Sequence, residues 1–191
     1  MRFSIAVLAA TLAAPAMADP PRVVADIAPV HALLAQVMDG VATPRLLLEQ
    51  SANPHSVQLR PSQARMLADA DLLIWVGPAL SPWLERIVET QTSDQIALMA
   101  QAATHLRAFH PAGGAGTAPG HGDDGHAGHD DDHDHDHAGL DPHVWLSTQN
   151  ARAWLRLFAD ELAARDPENA ETYRANAADA AAGLDALEAD I

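Results

Sequence analysis

Cysteine and lysine are both missing from this chain of 191 residues. Without cysteine no disulfide can form, even in a compartment that would permit one. The thiol by which an exported bacterial protein is joined to a lipid is missing too, so no direct membrane anchor is expected. All 11 cationic side chains are Arg, which we read as genome composition with no functional content. Set against 26 acidic residues they leave a formal net charge of −15. A chain this acidic offers no surface for nucleic acid. The apolar run near the start, residues 5–14, is too short to cross a bilayer, which takes about 20 residues. There is no His-Glu-x-x-His helix and no nucleophile motif, so no enzyme is expected.

The length suits one or two domains. Met1 and Arg2 give a short positive start, the apolar run follows, and Ala16-Met17-Ala18 has the small-x-small form of a cleavage site. Residues 1–18 therefore read as a signal peptide, with export to the periplasm and a mature chain beginning near Asp19.

From Arg22 onward, strand and helix patterns alternate. Residues 23–27 read as a strand and 29–38 as a helix opened by Pro29 and ended by Gly40. A second strand is expected at 45–48, a loop over 49–60, and a helix over 61–70 beginning at Pro61. Residues 72–76 form an unbroken apolar run, as a central parallel strand covered on both faces requires. A helix at 82–90 and a strand at 95–99 complete the series. Four alternations argue an α/β fold with a parallel sheet. Structure resumes at Val144, where Ser147 or Thr148 can cap a helix bearing Ala151, Trp154, Leu155, Phe158 and Leu162 on one face. Asp166, as cap, and Pro167 then restart a helix. Its stripe of Tyr173, Ala177, Ala180, Leu184, Leu187 and Ile191 runs to the last residue with no stop signal, as in a fragment of a longer protein.

Between these patterned halves lie about 40 residues without regular periodicity, 100–140, longer than a compact domain normally leaves unstructured. The tract 121–143 holds seven of the 11 His and eight acidic residues, with no cation and no aromatic. So little apolar surface cannot offset the entropy of ordering, and 111–140 is expected to be disordered. Imidazole suits borderline metals such as zinc, and the carboxylates concentrate cations. His121, His126, His129, His133, His135 and His137 are accordingly the candidates for a low-affinity metal-collecting loop.

His55, in SANPHSVQLRPS (51–62), follows the second strand, and His143, in DPHVWL (141–146), comes after the fourth. In a parallel sheet the C-terminal strand ends share one edge, and ligands bind there. The two imidazoles can therefore face one crevice. Each taken alone is as readily a loop His; the pairing moves both toward metal ligand. His31, His105 and His110 read as surface polar residues.

The segment PHSVQLRPS (54–62), then ADADLLIWVG (68–77), a His/Asp tract and DPHVWL (141–146), in that order, resemble the zinc-binding proteins of bacterial high-affinity zinc uptake ABC transporters. That family includes manganese carriers. The resemblance implies two α/β lobes joined by a long helix, with metal in the cleft between them. It makes residues 19–166 the N-terminal metal-binding lobe and 167–191 the start of the interlobe helix. His55 and His143 become zinc ligands from this lobe, and a third His, often with a carboxylate, comes from a C-terminal lobe absent here. It further implies a monomer that captures Zn2+ and delivers it to an ABC permease in the inner membrane. A manganese-binding relative and a periplasmic zinc buffer without a transporter are the alternatives. A zinc hydrolase would need an open coordination position, a general base and a substrate pocket, none of which the motifs supply.

Overall fold

A computed structural model describes residues 19–91, 93–108 and 139–190. The expected signal peptide, His110, the six His of the collecting loop and Ile191 lie outside the described residues.

Four strands form one sheet: β1 (Val23–Ala25), β2 (Arg45–Leu46), β3 (Leu72–Trp75) and β4 (Asp94–Ala97). The order is β2-β1-β3-β4 and every pairing is parallel. Leu47 and Leu48 prolong β2 beyond its regular pairing by donating to the carbonyls of Ala25 and Asp26. The apolar run of β3 is buried throughout, as an interior strand with both faces covered must be.

Helices α1 (Ala28–Val37), α2 (Pro61–Ala68) and α3 (Pro82–Val88) connect successive strands, each with a proline in its first turn. Right-handed crossovers put α1 on one face of the sheet and α2 and α3 on the other. Gly40 follows α1 at a φ of 74°, and Gly77 turns the chain out of β3 at 138°, backbone angles that side-chain-bearing residues rarely adopt. The expected fourth strand is shifted. It begins at Asp94 and ends at Ala97, after which Leu98–Ala100 forms a 3-10 turn.

A hairpin of α4 (Thr148–Arg165) and α5 (Ala170–Ala189) packs against α1. All five residues expected on the inner face of α4 are buried. The stripe on α5 is buried at Tyr173 and Ala177, half-buried at Ala180 and Leu184, and exposed at Leu187. Asp166 holds the cap position as expected, but its side chain makes no capping bond. Its carboxylate instead accepts from Tyr173 Oη at 2.7 Å and Asn169 Nδ2 at 2.8 Å, tying the elbow between the two helices. A 3-10 turn, Pro167–Asn169, intervenes before α5.

The chain reverses direction across the sheet between β1 and β3, and this switch point is where open α/β sheets ordinarily admit a ligand. Here a carboxyl side chain spans it. Asp26, fully buried at the end of β1, accepts from the Ile27 N–H at 2.8 Å and from the Val76 N–H, beyond β3, at 2.9 Å.

Candidate metal centre

Residues 49–60 leave the second strand as a loop held at several points. Arg60 Nη1 pairs with Glu49 Oε1 at 2.6 Å across its base. Gln63 accepts from the Arg60 N–H at 2.9 Å and donates to the Leu47 carbonyl at 2.7 Å. Near the tip, the Pro54 carbonyl accepts from Trp83 Nε1 at 2.8 Å and Ser81 Oγ at 3.3 Å. The His55 N–H donates to Asn53 Oδ1 at 3.0 Å. The peptide leading into His55 is thus pinned to the start of α3.

His143 arrives by another route. It comes well after the fourth strand, beyond the long irregular segment, as expected. After the 3-10 turn the chain runs on through Thr104, whose hydroxyl donates to the Leu98 carbonyl at 2.6 Å and accepts from Trp154 Nε1 at 2.9 Å. An antiparallel bridge between Ala108 and Leu140 closes the base of the intervening segment. His143 then precedes the 3-10 turn Val144–Leu146, which leads into α4.

The two imidazoles meet. Their ring centres lie 6.2 Å apart, with planes inclined at 66°. The His143 ring also rests against Trp145 at 5.1 Å. Asp141 Oδ1 accepts from the His143 backbone N–H at 2.9 Å and lies 2.7 Å from its ring Nδ1. These two hydrogen bonds, the backbone one foremost, hold the Asp141 carboxyl below the usual carboxylate range. An ionised carboxylate only accepts, so Nδ1 carries the hydrogen and the lone pair of a neutral ring sits on Nε2. This carboxylate–imidazole arrangement is the one that orients metal-ligating histidines.

His105 lines a cavity of about 150 Å³ together with Arg107, Asp141, His143 and Asn150. His31 lies elsewhere, half-buried, with Nε2 3.1 Å from the Pro44 carbonyl. Among the described residues no three His, Asp or Glu converge in a way that could hold an ion by themselves. Two imidazoles, one oriented by a carboxylate, are donors that could supply part of a coordination shell. Sequence reasoning left Asp141 and Trp83 without roles. The Asp-x-His spacing was the available signal for the first, whereas a Trp on a helix reads simply as core.

The architecture is a parallel α/β lobe that brings two imidazoles together, the donor type that zinc sites use. The model of the zinc-uptake complex component A family, described as periplasmic, matches residues 23–191, and the chain belongs to that family. It is 47% identical to the high-affinity zinc uptake system protein ZnuA of Paracoccus denitrificans, over all of this chain and 63% of the relative. It is 32% identical to the Yersinia pestis protein of the same name, over 81% of this chain and 49% of that one. The chain thus spans about half to just under two thirds of these relatives' lengths. Its fold is that of Zn(II)-bound AdcA of Streptococcus pneumoniae, with a TM-score of 0.65 at 22% identity, covering 90% of this chain and 32% of the other. It also matches a Mn-bound periplasmic metal-binding protein of Candidatus Liberibacter asiaticus, with a TM-score of 0.63 at 18% identity, over 85% of this chain and 52% of that one.

Proposed function

We propose that residues 19–166 are the N-terminal lobe of a periplasmic protein that captures zinc and passes it to an ABC importer, with His55 and His143 as ligands. The observation that carries this reading is the meeting of the two rings. A zinc ion about 2.0–2.1 Å from an imidazole nitrogen lies roughly 3.2 Å from that ring's centre, so rings sharing one ion have centres about 5.2 Å apart at a tetrahedral angle and at most about 6.4 Å apart. The observed 6.2 Å falls within that limit, and closing the pair by about 1 Å gives the tetrahedral value. Two ligands do not complete a zinc shell. The remaining ones come from a second lobe in the whole protein, reached along α5.

In this account residues 1–18 direct export and are removed. The six His of residues 121–137 collect ions weakly and raise the local zinc concentration beside His143. Both site imidazoles bind zinc in the neutral form, so capture weakens as they protonate. The partner is an inner-membrane permease.

Manganese is the competing cargo, since one relative at 27% identity is named a manganese-binding lipoprotein. Nitrogen ligands favour zinc over manganese, and the His-dense tract points the same way. The test is zinc titration of the protein and of His55→Ala and His143→Ala by chelator competition. Each variant should bind at the cleft at least tenfold more weakly. Native affinity in both would end the assignment. Capture of the permease by the full-length protein separates a carrier from a buffer.

A further inference from the structure

The densest hydrogen bonding near His143 belongs to a residue the site does not use. Asn150, in the first turn of α4, is fully buried. Its Oδ1 accepts from the His105 N–H at 2.7 Å. Its Nδ2 donates to the His105 carbonyl at 3.0 Å and to the Val144 carbonyl at 2.9 Å. Its own N–H faces Ser147 Oγ at 3.4 Å. Both carboxamide hydrogens and one oxygen lone pair are therefore engaged. Each carboxamide bond ends on backbone, and that backbone belongs to two different segments. One is the irregular run 105–108, which ends in the bridge at Ala108. The other is the turn that begins at His143.

The same two segments are joined farther along by the Ala108–Leu140 bridge and by the Asp141 N–H donating to the Arg107 carbonyl at 2.9 Å. Asn150 closes one end of this stem and the bridge closes the other. His143 stands between them, on the wall of the cavity that Asn150 also lines. A buried carboxamide is costly unless its polar atoms are paired, and an apolar side chain would serve a mere packing role at less risk. What the amide supplies is direction. It fixes the carbonyl one residue past His143 relative to the first turn of a helix eighteen residues long.

We infer that Asn150 is a positioning residue for divalent-cation binding: it holds the His143 turn and the 105–108 run in one frame and so sets where the His143 imidazole meets the ion. This rests on the zinc reading of His143 given above. No ligation by Asn150 is involved.

Asn150→Asp tests it. The carboxylate keeps the shape and the acceptor for the His105 N–H but cannot donate to either carbonyl. Zinc affinity, measured by chelator competition, should fall about tenfold to a hundredfold, the range for groups that orient a metal ligand. In a His143→Ala background the same substitution should change affinity less than twofold. Native affinity in Asn150→Asp, or an equal loss in both backgrounds, overturns the inference. Should the variant fail to fold, the unaltered protein still answers. On adding zinc chloride, both carboxamide N–H resonances of Asn150 should shift together with the His143 ring signals, and resonances that stay fixed while that ring responds overturn it. If His143→Ala alone binds zinc as tightly as the native chain, the zinc reading fails first and this inference falls with it.

Discussion

Raising the pH from 5 to 8 should weaken the fold through one carboxyl group that touches no water. Asp26 sits at the switch point of the sheet, and burial pushes its pKa up from 3.8 to about 7, against the opposing pull of the Val76 and Ile27 N–H groups. In the unfolded chain the same group loses its proton near 3.8. Between these two values the folded state holds a proton that the unfolded state has released, so stability falls as pH rises. The contribution is fully present below 3.8 and gone above about 7. Three units of difference at 1.36 kcal/mol each make it about 4 kcal/mol in full, of which roughly 2.5 kcal/mol is lost between pH 5 and pH 8. Urea unfolding at both pH values measures it. Asp26→Asn is the control. The carboxamide cannot ionise, and its amino group faces one of the two N–H donors, so the variant should be weaker overall but lack this slope. Slopes from groups that the substitution leaves untouched are common to both proteins and cancel in the comparison. Equal slopes in the two proteins, or a native protein that gains stability toward pH 8, would refute the reasoning.

Other outcomes follow from the two loops. Asp141→Ala should release the His143 ring from its single tautomer, visible in nitrogen NMR of the imidazole, and lower zinc affinity about tenfold to a hundredfold. Trp83→Phe removes the 2.8 Å hydrogen bond to the Pro54 carbonyl and should cost about 1 kcal/mol in urea unfolding. Deleting residues 121–137 from the full-length protein should leave the tight site intact while lowering the total number of zinc ions bound in titration.

The sheet was legible because each of its main signals is local. The unbroken apolar run 72–76 suits an interior strand, and Pro29, Pro61 and Pro82 mark the helix starts that follow three of the strands. Parallel strands share one C-terminal edge, so His55 and His143 could be expected on the same rim, and the ring contact at 6.2 Å agrees. The route to His143 was less legible. A 3-10 turn and a single bridge leave almost no periodic trace, so the segment between the fourth strand and His143 read only as irregular. Asp166 had the spacing of a helix cap, but its partners Tyr173 and Asn169 are set by the packing of α4 on α5. Asp26, Asp141 and Asn150 were hidden for a related reason. A polar residue at a strand end, beside a proline or in a first helical turn is ordinary in sequence, and only the fold supplies the backbone groups that give each one its work.

The most direct measurement is the anomalous scattering of crystals grown with zinc, recorded on both sides of the zinc absorption edge. The account predicts a peak about 2.0–2.1 Å from a ring nitrogen of His55 and at the same distance from Nε2 of His143. Ordered zinc at other residues with no peak between these two rings would contradict it.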